Sequence, residues 1–259
     1  MTPNEDALAI SVIVSTYNAE AWLEKVLQGY ALQTHANFEV IVADDGSRSI
    51  TQALVERYAQ DYPVPLRHIW HEDEGYRRQE ILNKAIPIAA HAYILFTDGD
   101  CIPRKDFVAT HALLAEKGRF LSGGYCKLGM ALSEAITAAD ISSGRCFDLA
   151  WLKQHEPMKL SNRLKLGSGP ARARLLDAIT TAKPTFNNCN SSAWKDDLLA
   201  INGYDERMKY GGPDRELGER LENHGIRGKQ IRHRAVCVHL DHARGYKTDE
   251  SVQANRAIR

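Results

Sequence analysis

Four apolar runs recur along the first hundred residues at a nearly constant interval, and that interval limits the fold more than any other feature. They cover residues 10–15, 38–43, 66–70 and 93–96, and they start 28, 28 and 27 residues apart. Short runs rich in Val, Ile, Phe and Tyr read as strands. Between them the pattern predicts helices over 20–32, with Trp22, Val26 and Leu27 on one face, over 50–58 and over 79–90. Strand and helix alternating at this period predict βαβ units: an α/β fold with a mixed, mainly parallel sheet flanked by helices. Ligands of such sheets bind beyond the carboxyl ends of the strands.

Those ends are where the polar residues gather. The first run leads into Thr16-Tyr17-Asn18, the second into Asp44-Asp45-Gly46-Ser47, and the fourth into Asp98-Gly99-Asp100. Residues i and i+2 of an extended segment project to one side, so Asp98 and Asp100 can converge on a small target. Gly99 between them permits close approach of another group. Two carboxylates at such an edge suit a divalent cation that holds a phosphate. The plainer alternatives are helix capping, by Asp98 ahead of a helix opened by Pro103 and by Asp45 or Ser47 ahead of the next. Neither GxGxxG after the first strand nor GxxxxGK[ST] anywhere occurs, which argues against dinucleotide and P-loop enzymes.

Composition narrows the partners. Lys plus Arg and Asp plus Glu number 33 each, so no net charge recruits nucleic acid. No run is long enough for a transmembrane helix, and the first residues lack a signal-peptide pattern. The five cysteines contain no CxxC pair, which points away from zinc ribbons and disulfide frameworks and toward a reducing cytoplasm.

Further motifs carry chemistry with a competing structural reading. Arg77 and Arg78 follow the third strand and enter a helix, with Asn83 and Lys84 one to two turns on; one of these cations would balance a pyrophosphate. A helix is expected over 104–118. The basic stretch 159–183 contains Gly167-Ser168-Gly169-Pro170, read as the middle of a mobile loop; its charges are either solvated or face an anionic acceptor or membrane surface. The Asn-rich run 186–194 offers Asn190 to sugar hydroxyls and Trp194 to a pyranose face, or else is turn chemistry around a core Trp. Pro213 opens a helix whose first turn holds Asp214, either a dipole partner or a proton acceptor. His239 and His242 end a strand-like run, and an imidazole added to two aspartates makes a mixed N/O site suited to Mn²⁺.

In this order the blocks resemble the family 2 glycosyltransferases of GT-A fold, in the bacterial branch whose C-terminal part is similar to galactosyltransferases. The matched pieces run from Val14-Ser15-Thr16-Tyr17-Asn18 through Thr97-Asp98-Gly99-Asp100 and Asn202-Gly203-Tyr204-Asp205-Glu206 to His239-Leu240-Asp241-His242. The resemblance implies one GT-A domain over 1–259: a nucleotide-binding half at 9–118, an acceptor and catalytic half at 119–243, and a tail at 244–259. It implies an inverting transferase that uses a UDP-sugar, a glycan or glycolipid acceptor and Mn²⁺ or Mg²⁺, in peripheral contact with the inner membrane face. Thr16, Tyr17, Asp44 and Asp45 would hold uracil and ribose, within a donor set that also takes in Ser15, Asn18, Arg77, Asn83, Lys84, Asp98, Gly99, Asn190 and Trp194. Asp98, Asp100, His239 and His242 would serve the metal, Asp214 would be the base, and Glu216 matches an acidic position nearby. Pro213 stands where the family carries an acidic residue, and Glu80 and Leu82 stand where relatives carry basic ones. A sugar-phosphate nucleotidyltransferase and a non-catalytic sugar-nucleotide-binding module are the alternatives.

Overall fold

A computed structural model describes residues 7–242 together with 255 and 258. The four expected strands form as β1 (Ile10–Thr16), β2 (Phe38–Asp44), β3 (Leu66–Trp70) and β4 (Tyr93–Asp98). All residues of β1 and β2 are buried, as expected of parallel strands covered on both faces. Their side chains alternate between two cores. Val12, Val14, Val40, Val42 and Leu95 face α1 (Glu20–Ala31) and α2 (Ser49–Ala59). Ile13, Ile41, Ile94 and Phe96 face α3 (Arg78–Ile88). Within α1 the core residues are Leu23, Val26, Leu27 and Tyr30, and Trp22 packs against the same core, half-buried, and donates from Nε1 to the Asp241 carbonyl.

The expected helix at 104–118 is shorter. Cys101–Pro103 forms β5 instead, so Pro103 opens no helix and Asp98 caps none; α4 spans Phe107–Leu114. Then come β6 (Arg119–Ser122), β7 (Gly124–Lys127), α5 (Met130–Ala135), α6 (Ala138–Ser143) and α7 (Leu149–His155). The basic stretch is also not a loop: Gly167-Ser168-Gly169 links α8 (Leu160–Leu166) to α9 (Pro170–Ile179), with Pro170 in the first turn, where its missing N–H costs nothing. The remaining elements are β8 (Ser191–Trp194), α10 (Lys195–Ala200), α11 (Pro213–Asn223), β9 (Arg227–Gln230) and β10 (Val236–His239).

The main sheet has the order β3-β2-β1-β4-β8-β6-β9, parallel from β3 to β4 and antiparallel on both sides of β8. A second sheet, β5-β10-β7, branches from it. Gly99 and Asp100 are the junction where the chain leaves one sheet for the other. A Cβ on Gly99 would lie 3.1 Å from the Ser15 carbonyl and from Thr16 Oγ1, and its N–H donates to that carbonyl at 2.7 Å, so the junction packs against the end of β1. The register of the small sheet places His239 opposite Cys101, which brings β10 beside Asp100.

Candidate active site

The strand ends border one cleft of about 1160 Å³, and its lining includes Ser15, Thr16, Tyr17, Asn18, Asp45, Asp98, Gly99, Asp100, Asp214, His239 and His242. At its centre lies Arg78. The guanidinium donates from Nε to Ser15 Oγ at 3.1 Å, from Nη2 to Asp98 and from Nη1 toward Asp214 Oδ1 at 3.4 Å. Asp98 Oδ1 also accepts from Ser15 Oγ at 2.9 Å and from Asn188 Nδ2 at 3.0 Å. Asn188 in turn donates its backbone N–H to Asp214 Oδ2 at 3.1 Å and accepts from the Tyr204 hydroxyl at 2.6 Å.

Two carboxylates sharing one cation are held differently. Burial pushes both upward. At Asp98 the Arg78 charge and the hydrogen bonds from Asn188 and Ser15 outweigh it, and the net shift is below the usual carboxylate range. At Asp214 burial prevails over Arg78, the nearby Asp98 charge adds to it, and the carboxyl lies above the usual range. Its side chain is 29% exposed, so a substrate hydroxyl can reach it.

Asp100 faces imidazoles instead. His242 Nε2 lies 3.0 Å from Asp100 Oδ2 and His239 Nε2 lies 3.9 Å from Oδ1. His239 Nδ1 sits 2.8 Å from the Leu240 carbonyl, which can only accept, so Nδ1 carries the proton and Nε2 presents its lone pair. Asp100, Cys101 and His239 place one ligand atom each within 4.8 Å of one another. The Asp100 oxygen and His239 nitrogen of this set suit Mn²⁺, whereas the buried Cys101 sulfur is a softer donor than that ion selects.

Residues 11–125 match the model of glycosyl transferase family 2, and 178–243 match that of the N-terminal domain of galactosyltransferase. The first part of the chain is therefore similar to glycosyltransferase family 2. Among its relatives, chondroitin synthase of Pasteurella multocida is 25% identical over 85% of this chain and 23% of its own length. Validoxylamine A glucosyltransferase of Streptomyces hygroscopicus is 28% identical over 84% of this chain and 48% of its own length. The chain therefore spans half or less of these two relatives. The fold is that of GT-A enzymes. A mannosyltransferase from Pyrobaculum calidifontis, solved with GDP-Man and Mn²⁺, superposes with a TM-score of 0.63 at 20% identity, over 93% of this chain and 59% of that one. Residues 1–349 of TarS from S. aureus, solved with UDP-GlcNAc, give 0.62 at 18% identity, over 92% and 60%.

Several expected donor-site residues lie away from the cleft, each for a visible reason. Asp44 is fully buried and accepts from Ser47 N and His68 Nε2, whereas Asp45, held by His71 Nε2 and Arg77 N, does line the cleft. Arg77 turns its guanidinium to the Glu72 carbonyl, Glu74 and Glu80, and Lys84 is bound to Glu80 and His71. Asn83 clamps the Gly203-Tyr204 turn, donating to the Tyr204 carbonyl and accepting from its N–H. Asn190 is fully buried among His111 and the carbonyls of Gly124 and Ala235. Trp194 donates to the Glu116 carbonyl beneath Lys117, so it stacks on a cation and not at the cleft. Glu216 points away from Asp214 to pair with Arg220.

Tyr17, 46% exposed, stands at the rim with its hydroxyl on Asp73 Oδ2. Thr16 lines the cleft, and its Oγ1 is buried without a protein partner. Asn18 adopts a φ of 44° and fixes the β1 exit by accepting from Arg48 N. Sequence reasoning missed Asn188, Tyr76 and Tyr210, all cleft-lining residues. Asn188 belongs to the Asn-rich run, but nothing in that run separates it from Asn190. The loop bearing Tyr210 is held by Asn255, whose amide donates to the carbonyls of Lys209, Tyr210 and Gly211; the rest of the tail at 244–259 lies outside the described residues, Ile258 excepted.

Proposed function

We propose that this chain is an inverting glycosyltransferase that moves a hexose or N-acetylhexosamine from a UDP-sugar to a hydroxyl of a glycan or glycolipid. The observation that carries the reading is the separation of two carboxylate stations in one cleft. Asp100 has the His239 and His242 imidazoles beside it, which we read as a cation site, and Asp214 pairs elsewhere, with Arg78 and Asn188, and has a raised pKa. The uridine assignment rests on the family resemblance and on TarS, whose structure holds UDP-GlcNAc.

Asp100, His239 and His242 would hold the divalent ion, which when bound acts as a Lewis acid toward the departing diphosphate. The acceptor oxygen attacks the anomeric carbon from the face opposite the diphosphate, its C–O bond forming as the C–O bond to the diphosphate breaks. Asp214 receives the hydroxyl proton on a carboxylate oxygen. Burial makes that oxygen more basic than an ordinary aspartate, while Arg78 and the Asn188 N–H fix where it points. Ser15 and Asn188 hold Asp98 against Arg78, so the guanidinium is oriented before any substrate arrives.

The test is thermal unfolding with UDP, GDP, CMP and dTDP, each with Mn²⁺ and with EDTA. A ligand at a hundred times its dissociation constant stabilises by about 2.7 kcal/mol. A shift with UDP that requires Mn²⁺ is expected. A shift confined to another nucleotide overturns the donor, and no shift with any of them overturns donor binding.

A further inference from the structure

Helix α9 hides its polar residue and exposes its apolar ones. Asp177 is buried, accepting from His233 N at 2.9 Å and from Arg234 Nε at 2.7 Å, and Ala173 is buried one turn earlier. At about 100° per residue the remaining arc reads, side by side, Arg174, Ala178, Ala171, Leu175, Ile179, Arg172. All six are exposed, Leu175 by 59% and Ile179 by 63%. An aliphatic stripe bracketed by two guanidiniums therefore faces outward. The preceding helix adds Leu160, 68% exposed, between exposed Lys159 and Arg163.

We infer that the α8–α9 segment docks on a bilayer that contains anionic lipid. Charge complementarity selects this occupant. Over 159–183 there are six basic residues against one carboxylate, the buried Asp177, in a chain of zero net charge. Aliphatic residues flanked by Arg or Lys are the arrangement by which interfacial helices enter a headgroup layer. Helix α8 adjoins the cleft, since its Lys165 donates to the Tyr125 carbonyl at 2.7 Å and Tyr125 lines the cleft. Docking there sets the cleft at the membrane surface. No helix among the described residues is long and apolar enough to cross a bilayer.

Vesicle co-sedimentation without nucleotide tests this independently of any transferase activity. Each basic residue near an anionic surface is worth about fivefold in partition. The chain should sediment with phosphatidylcholine vesicles that contain phosphatidylglycerol, not with phosphatidylcholine alone, and release with added salt. Leu175→Glu with Ile179→Glu, and separately Arg172→Glu with Arg174→Glu, should each lower partition at least about tenfold while unfolding at the wild-type temperature. Equal sedimentation with both vesicles or with neither, or Glu variants that bind like wild type, overturns the proposal. A dimer seen by light scattering that the Leu175/Ile179 variant abolishes, with no vesicle binding, assigns the face to a second copy instead.

Discussion

Asp98 and Asp100 are two residues apart and border one cleft, yet they belong to electrostatically opposite regions. Around Asp98 the protein supplies its own compensation: one guanidinium, one hydroxyl and one amide all converge on Oδ1. Around Asp100 it supplies two imidazoles: His239, whose Nδ1 is taken up by the Leu240 carbonyl, and His242, whose Nε2 meets the carboxylate. The first region is complete as folded, and the second is the one we propose a cation completes. A DxD pattern read only as a metal pair hides this division. The branching of the sheets at Gly99 causes it, because Asp98 ends a strand of one sheet while Asp100 precedes a strand of the other.

The largest effect expected is on turnover. Asp214→Asn keeps the Arg78 neighbourhood but removes the proton acceptor, and kcat should fall roughly 10²–10⁴-fold with nucleotide binding intact. Near-normal turnover would take the base out of the Asp98 region altogether. The same region should set the acid limb of the kcat profile. Because the Asp214 carboxyl is raised, turnover should begin to fall at a higher pH than for an ordinary aspartate. Arg78 pulls that carboxyl down, so in Arg78→Met the limb should move to still higher pH.

Stability separates the two regions next. Arg78→Met leaves Asp98 and Asp214 facing each other without their cation, and loss of one partner of a largely buried pair costs about 3 kcal/mol. That loss should appear in urea unfolding with or without Mn²⁺. Asp100→Ala should leave metal-free stability within about 0.5 kcal/mol of wild type, yet abolish the roughly 2.7 kcal/mol gained from saturating UDP with Mn²⁺. A large metal-free loss from Asp100→Ala would erase the contrast.

What was legible in the sequence follows the same physics. The beat of β1 to β4 was plain because parallel strands covered on both faces must be nearly all apolar. The cleft was legible as three polar strand exits, but not the phase of α3. Arg77 precedes the helix and Arg78 begins it, and one residue of rotation, about 100°, sends one guanidinium to surface glutamates and the other to the centre of the site. The second half was harder to read because its elements are short, and because a Gly-Ser-Gly-Pro turn between two helices has the composition of a loop.

The same splitting recurs at Asn188 and Asn190, and it gives the smallest and most specific prediction. Both are buried, but Asn188 lines the cleft and donates to Asp98, whereas Asn190 packs against His111, whose other nitrogen meets Ser192 at 2.7 Å. Burial pushes the His111 imidazole down to about 4. The unfolded chain, with an ordinary histidine near 6.5, therefore binds the proton first as pH falls, so the native state should lose stability from about pH 6.5 downward. At about 1.4 kcal/mol per pH unit the loss should reach about 2 kcal/mol at pH 5. Urea unfolding at pH 7 and pH 5 measures it. His111→Gln should flatten that slope even while it lowers stability at pH 7, because glutamine cannot take up the proton. An unchanged slope would mean that His111 is not the group that titrates. In that case Asn190 would be holding a charged imidazole, and the core reading of this asparagine would fail with it.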